Sequence, residues 1–262
     1  MTDATAAAAS RLVVIIPAYQ EAATIAAVVG DVRAALPGMR VLVVDDGSTD
    51  GTAALARSAG AEVLEGHGNQ GKGAALRRGM ARALDSGAAY VATLDGDGQH
   101  RPADLPRLLA LARPDRIVIG SRRRALGQPA ARRRANRVAD FWISWAARHA
   151  VADSQSGFRI YPAAALAWLD RYEGRARGFS FESEILIDAA RAGITTVAAD
   201  IPALYGATLR RPSHFRPVAD IVRIVMMVAG KLLARGMDPV GLWRSQAGLR
   251  HLERETPHDP PT

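Results

Sequence analysis

Short β-branched apolar runs recur along the first half of the chain, each ended by a Gly, Asp or Pro cluster, with stretches of helical spacing between them. RLVVIIPAY is the first run and reads as a buried strand, and EAATIAAVVGDVRAAL follows with helical periodicity. RVLVVDD repeats the strand signal, and Thr49 and Asp50 are placed to cap a helix starting near Gly51. EVLEG gives a third strand, GKGAALRRGMARALDSG a helix, AYVATLD a fourth strand, and DRIVIGSRR a fifth after a helix from Pro102 to about Ala112. This alternation predicts an α/β fold with a mostly parallel central sheet and helices on both faces. Ligands bind such sheets beyond the carboxyl ends of the strands. Pro17–Glu21, Asp45–Asp50, Asp95–Gln99 and Gly120–Arg122 all fall at those ends, so one edge of one sheet gathers four polar clusters.

The second half is less regular. Residues 132–150 read as a helix carrying Trp142 and Trp145, and DSQSGFRIYP as a loop or short strand. FSFESEILIDAARAG reads as a helix, ITTVAADIPALYG as a strand with its exit loop, and RPVADIVRIVMMVAGKLLARG as an amphipathic helix. No internal repeat and no linker between two cores is visible. The expectation is therefore one domain over residues 11–235, with residues 1–10 a disordered lead-in and 236–262 a partly disordered C-terminal tail. The first residues, MTDATAAAASR, have neither the apolar core of a signal peptide nor the length of a membrane span.

Cysteine is absent, which removes disulfides, thiolate nucleophiles and zinc–thiolate sites. Of 34 basic residues only Lys72 and Lys231 are lysine, so arginine alone says little. Its placement says more: arginines at 116, 122, 123, 124, 132, 133, 134 and 137, with no acid among them, equal the whole formal excess of +8. A field that concentrated points to an anionic partner.

LDGDGQH sets Asp95 and Asp97 one residue apart at the end of a buried strand, where like charges repel and lose hydration. A cation with oxygen ligands resolves that conflict. An EF-hand is excluded: counted from Asp95, the required glycine and glutamate are His100 and Pro106, and counted from Asp46 the twelfth position is Arg57. A plain turn accounts for one D-x-D. It does not account for Asp45 and Asp46 ending a second strand in the same way. A hard cation bridging carboxylates and phosphates, as in activation of a nucleotide–sugar diphosphate, fits both.

VVIIPAYQEAATI, VLVVDDGSTDGT, NQGKGAALRRGM and TLDGDGQHRPADLPRLL, then DSQSGFRIYP, FSFESEILIDAARAG and SHFRPVADIVRI, stand in an order that resembles the family-two inverting glycosyltransferases with the GT-A fold. Within them the chain is most similar to the dolichyl- or polyprenyl-phosphate mannose synthases. It departs from the family's P-x-x-N-E by having Gln20 before Glu21. The resemblance implies that Pro17, Tyr19, Glu21 and Asp46 hold the base and ribose of a nucleotide–sugar donor, with Lys72 and Asp95 also on the donor. It implies Mg2+ or Mn2+ on Asp95, Asp97 and Gln99. Arg122 is the leading candidate for an acceptor phosphate, with Arg133, Arg134 and Arg137 in reach from the next helix. Asp97, Arg122 and Asp153 are the catalytic candidates, Asp153 as base if the acceptor is a hydroxyl. Gln155, Ser156, Arg159, Glu182 and His214 complete the pocket, Arg159 serving either phosphate or fold.

The arginine block reads either as a solvated loop or as a docking surface for a lipid phosphate and anionic head groups. Nucleic acid is the rival anion, but no interleaved aromatics and no nucleic-acid-binding signature accompany the block. The helix over 217–235 is too short and too charged to span a bilayer, and its apolar stripe suits either core packing or a membrane interface. The expected partners are a nucleotide sugar, a polyprenyl phosphate, an anionic membrane surface and a separate membrane protein. That places the chain in the cytoplasm, peripheral at the inner face of the membrane. GDP-mannose is the expected donor; a UDP-sugar, a hydroxyl acceptor, and a non-catalytic sugar-nucleotide or membrane-binding module are the alternatives.

Overall fold

The computed structural model describes residues 11–123, 130–169, 180–202 and 217–254. Among these, seven strands form one sheet in the order β3-β2-β1-β4-β6-β5-β7. They are β1 (Leu12–Ala18), β2 (Arg40–Asp45), β3 (Glu62–Glu65), β4 (Tyr90–Thr93), β5 (Arg116–Ser121), β6 (Arg159–Pro162) and β7 (Thr195–Asp200). The helices are α1 (Ile25–Ala35), α2 (Thr52–Ser58), α3 (Lys72–Asp85), α4 (Leu105–Ala110), α5 (Ala130–Ala147), α6 (Ser180–Arg191), α7 (Pro217–Leu233) and α8 (Pro239–Arg254).

Alternate residues of the strands enter opposite faces. Val13, Ile15, Leu42 and Val44 pack with Leu76 and Met80 of α3, Ile143 of α5, Ile185 of α6 and Val228 of α7. Val14, Ile16 and Val43 pack with Ile25 and Val29 of α1 and Leu105 and Leu108 of α4. Helices therefore cover both faces, which is why the strands read as continuous apolar runs. Gly79 lets α3 lie close on the sheet: a Cβ there would stand 2.7 Å from Val44 Cγ2 and 2.8 Å from Ile15 Cγ2.

The one reversed strand decides where the site lies. β6 runs antiparallel between β4 and β5, with Thr93 opposite Arg159 and Tyr90 opposite Pro162. An antiparallel strand begins where its parallel neighbours end, so residues 153–159 arrive at the carboxyl ends of β4 and β5 rather than at the opposite edge.

From sequence alone residues 236–262 read as a tail; Pro239–Arg254 is instead a helix on α5. Asp238 starts it by accepting the Gly241 N–H at 3.0 Å, its carbonyl accepts the Trp145 indole N–H at 3.0 Å, and Ser245 and Leu249 are buried. Its apolar positions are few, which hid the periodicity. Among the described residues no helix is long and apolar enough to cross a membrane.

Candidate active site

Two loops are tied together beyond β1 and β2. The Asp45 carboxylate accepts the Ser48 backbone N–H at 3.2 Å and the Ser48 hydroxyl. Ser48 Oγ accepts the Gln20 N–H at 2.8 Å, and Thr52 Oγ1 accepts the Glu21 N–H at 2.8 Å. The β1 loop is thus hung on the β2 loop, with Pro17 buried and Tyr19 and Glu21 partly exposed. Asp46 faces inward. Its Oδ2 accepts the N–H groups of Gln70 and Gly71 at 2.9 and 2.6 Å, and its Oδ1 meets Arg78 Nη2 at 3.4 Å. Burial raises its carboxyl above the ordinary value, although the two N–H donors and Arg78 oppose the rise. Asp46 therefore fixes the backbone that opens α3 and so the position of Lys72.

Lys72 stands between two acids: its Nζ is 2.6 Å from Asp95 Oδ1 and 3.1 Å from Glu182 Oε2. Burial opposes a charged lysine here, but Asp95 and Glu182 outweigh it and hold the pKa above the ordinary lysine value. Burial likewise opposes ionisation of Asp95, yet Lys72 and then His100, whose Nε2 is 3.5 Å away, keep it ionised. Gly157 backs the pair. A Cβ there would stand 2.9 Å from both Lys72 Nζ and Asp95 Oδ2. Thr93 Oγ1 holds this segment by donating to the Gly157 carbonyl at 2.8 Å.

Asp97 is half-buried in the same turn, where its Oδ1 accepts the Gln99 N–H at 2.9 Å. Burial and the neighbouring charge of Asp95 raise its pKa. Thr24 pins the turn to α1 by donating to the Gly96 carbonyl at 2.7 Å. Asp95, Asp97 and the Gln99 carbonyl are hard oxygen donors, and the carboxylate repulsion that raises Asp97 is what a divalent cation would relieve. The set fits such an ion, with Asp97 the more available carboxylate because Asp95 is engaged by Lys72.

A third cluster lies beyond β5. Asp153, buried and at φ +50°, accepts the Arg122 N–H through Oδ2 at 2.7 Å, with Arg122 Nε 3.9 Å away. Its Oδ1 is buried with no hydrogen-bond partner among the described residues. Asp140 of α5, 2% exposed, accepts the Ser154 N–H at 2.8 Å and the Asp153 N–H at 3.3 Å, with Arg123 Nε 3.7 Å away. Burial and then the charge of Asp153 raise its carboxyl to about 6. Arg159 links this cluster to the last one. Fully buried, it donates to the carbonyls of Ser154 (2.6 Å), Ser156 (2.7 Å) and Glu182 (2.9 Å) and to Tyr161 Oη (3.1 Å). Of its two sequence readings, phosphate or fold, these bonds support the fold.

The structure thus gathers Asp46, Lys72, Asp95, Glu182, Arg122, Asp153 and Arg159 on one edge. Ser156 is buried, donating to the Gly120 carbonyl at 2.7 Å, and Gln155 is half-buried beside it. Arg133, half-buried, and Arg137, exposed, share the α5 stripe that leads to Asp140, whereas Arg134, also exposed, lies one position round. His214 and Arg124 lie outside the described residues. Glu184 turns away from the site, to Lys231 at 3.1 Å. Sequence reasoning missed Asp140, Arg78 and His100, and read Gly157, with Ser156, only as a place where the backbone could approach the sugar. His100 and Arg78 lie inside the motifs LDGDGQH and NQGKGAALRRGM, whereas Asp140 is a single residue outside any motif, whose partners Asp153 and Ser154 lie on another segment.

Comparisons with known proteins identify the family and the fold. The family model for glycosyl transferase family 2 matches residues 13–168. The chain is 32% identical over 192 residues to an undecaprenyl-phosphate mannosyltransferase of Micrococcus luteus, covering 70% of this chain and 79% of that one. It is 31% identical over 209 residues to a polyprenol monophosphomannose synthase of Mycolicibacterium smegmatis, covering 76% and 79%. Among solved structures it is similar to glucosyl-3-phosphoglycerate synthase of Mycobacterium tuberculosis, crystallised with Mn2+, UDP and phosphoglyceric acid. That match has a TM-score of 0.61 at 24% identity and covers 88% of this chain and 81% of that one. With its mostly parallel seven-stranded sheet and four polar strand ends, the chain belongs to glycosyl transferase family 2 and is a glycosyltransferase of GT-A fold, similar to the polyprenyl-phosphate mannose synthases.

Proposed function

We propose that the chain transfers mannose from GDP-mannose to a polyprenyl phosphate, inverting the anomeric carbon. The observation that supports this best is the reversed strand β6, which sets the Arg122–Asp153 pair on the same edge as Lys72, Asp95 and Asp97. A cationic acceptor side then faces a donor side built for a diphosphate. The M. luteus and M. smegmatis relatives are named for mannose transfer to polyprenyl phosphate.

On the donor side, Tyr19 and Glu21 would face the nucleotide across Pro17, while Asp46 holds the Gln70–Gly71 backbone that aims Lys72. Lys72, kept charged by Asp95 and Glu182, would meet the diphosphate at the start of α3, where the helix dipole also favours an anion. Mg2+ or Mn2+ on Asp97 and Gln99, with Asp95 beside it, would supply positive charge to the leaving nucleoside diphosphate. On the acceptor side Arg122 would orient the lipid phosphate, and Asp153 would keep Arg122 in place through its backbone and guanidinium. A phosphate monoester has a second pKa of about 6, so at neutral pH it is already a nucleophile and no base need take its proton. In-line attack on an α-linked donor gives the β-linked product, and alignment of the two phosphates is the main task left to the protein.

The test is transfer of labelled sugar into the organic phase with polyprenyl phosphate as acceptor, comparing GDP-mannose with UDP-glucose, each with Mg2+, with Mn2+ and with EDTA. The expected result is lipid label from GDP-mannose alone, abolished by EDTA and by Asp97→Ala. Label from UDP-glucose alone would overturn the donor and leave the acceptor standing. Label from neither donor, with sugar appearing on a soluble alcohol, would overturn the lipid acceptor and make Asp153 the base to test.

A further inference from the structure

We infer that Asp140 is a positioning residue of the acceptor side, and that a proton on it and a phosphate on Arg122 and Arg123 bind together. The inference rests on the lipid-phosphate reading above. Asp140 lies midway along α5, and each of its oxygens accepts one backbone N–H of the segment entering β6: Ser154 at 2.8 Å and Asp153 at 3.3 Å. That support matters because Asp153 is a non-glycine residue at φ +50°, a conformation side chains rarely adopt. The turn it opens is closed by the Ser156 N–H on the Asp153 carbonyl at 3.0 Å. From this turn the Asp153 carboxylate takes the Arg122 N–H at 2.7 Å, and Gly157 comes to rest against Lys72 and Asp95. One carboxylate on a helix thus holds the segment that meets both the acceptor arginine and the donor lysine.

The cluster is short of one donor. Asp140 and Asp153, both buried, bring four carboxylate oxygens. Backbone N–H groups satisfy three of them: Ser154 and Asp153 on Asp140, and Arg122 on Asp153 Oδ2. Asp153 Oδ1 has no hydrogen-bond partner among the described residues. Arg122 Nε stands 3.9 Å from Asp153 and Arg123 Nε 3.7 Å from Asp140, near enough for charge but too far for a hydrogen bond. A proton relieves this shortage and the like-charge repulsion together. Burial and then the charge of Asp153 place it on Asp140, whose carboxyl is raised to about 6.

Charge then couples that proton to the acceptor. Two aspartates and two arginines sum to zero, so a phosphate arriving at Arg122 and Arg123 finds their charge compensated. With Asp140 protonated the set carries +1 and holds the phosphate more tightly, and by linkage the phosphate tightens the proton by the same factor. One charge on another about 10 Å away, at an effective dielectric constant of about 20, is worth roughly tenfold. The other charges nearby are arginines, which keep their charge: Arg159 at the Ser154 carbonyl, and Arg137 one turn back on α5. The groups that α6 and α8 turn to α5, Arg191 at the Ala146 carbonyl and Asp238 at Trp145, lie further along the helix, and Lys231 of α7 turns to Asp188 of α6.

The experiment is calorimetric titration of the full chain with a short, water-soluble polyprenyl phosphate at several pH values between 5 and 8. Each titration is run in two buffers of different ionisation enthalpy, which counts the protons taken up on binding. The phosphate's own titration is common to every protein, so the difference between wild type and Asp140→Asn isolates Asp140. With tenfold coupling, a carboxyl at about 6 moves to about 7 when the acceptor binds, and wild type takes up about half a proton more than Asp140→Asn near pH 6.5. From pH 5 to pH 8 the affinity of the variant should improve roughly tenfold relative to wild type. A residue that only held the fold would change the affinity by one factor at every pH and leave the proton counts equal. Arg123→Gln removes the positive charge that lowers the Asp140 carboxyl, so the pH of largest proton uptake should rise. Equal proton counts for wild type and Asp140→Asn, with acceptor bound by both, overturn this inference and leave the acceptor reading standing. If Asp140→Asn does not fold, an uptake maximum that Arg123→Gln leaves in place overturns it. No binding of the polyprenyl phosphate to wild type at any pH overturns the acceptor reading and this inference with it.

Discussion

Gly157→Ala isolates one feature of the site, the position of the Lys72–Asp95 pair. The glycine is not at positive φ, so alanine adds a methyl group without backbone strain. That methyl would stand 2.9 Å from Lys72 Nζ, 2.9 Å from Asp95 Oδ2 and 3.1 Å from Asp95 Oδ1, where ordinary contact begins at 3.4 Å. Each partner must retreat by about 0.5 Å, in directions set by Glu182 and His100 on the far side. Both are side-chain ends, so the fold should lose only about 1 kcal/mol, or roughly 2–4 °C in melting temperature for a chain of this size. Activity should suffer more. A misplacement of about 1 Å costs about a hundredfold, so half of that on two groups gives a loss of roughly ten- to a hundredfold in kcat/KM. The assay is initial rate of lipid-phase label against donor concentration, beside a thermal melt of the same preparation. A variant that melts within a few degrees of wild type and turns over within twofold would refute the reasoning, because Lys72 and Asp95 would then not need the geometry seen here.

Arg159→Met should act on the fold instead. It leaves the carbonyls of Ser154, Ser156 and Glu182 without their buried donor, and should cost about 3–5 kcal/mol, seen as a melting temperature at least 6 °C lower. Asp140 should give a pH signature. Its carboxyl is raised from 3.8 to about 6, so the folded state holds the proton more tightly than the unfolded chain. That contribution is complete below pH 3.8 and is lost as pH rises towards 6, about 3 kcal/mol in all. Urea unfolding at pH 4 and pH 7 should therefore show Asp140→Asn gaining on wild type at the higher pH; an equal difference at both would refute it. Glu182→Gln removes one of the two charges that hold Lys72 while keeping the side-chain shape. We expect kcat/KM to fall about tenfold or more and the melting temperature to change little, checked by the same rate assay and melt.

What could be read from sequence follows the range of the interactions involved. Strands covered on both faces must be apolar throughout, and their exits must be polar, so β1 to β5 and the carboxylates Asp45, Asp46, Asp95 and Asp97 were legible from short windows. β6 was not. RIYP is too short to distinguish a strand from a loop, and its direction depends on Thr93 meeting Arg159 across 66 residues. That direction then decides the site, since a parallel β6 would have carried Asp153 and Gly157 to the opposite edge. Asp140 is the same problem in one residue. In sequence it is an acid on an arginine-rich helix, which reads as a solvated face; in the fold it caps the Asp153–Ser154 backbone and is nearly inaccessible. Arg159 was named from sequence, but its two readings, phosphate or fold, could not be separated there, because in a chain with 34 basic residues a buried arginine looks like any other. Strand-end chemistry is thus written locally, whereas the residues that assemble it into one site, Arg159, Asp140 and Gly157, are defined by partners met only on folding. Substitutions at those three should separate fold from chemistry more cleanly than substitutions of the strand-end carboxylates, whose loss damages both.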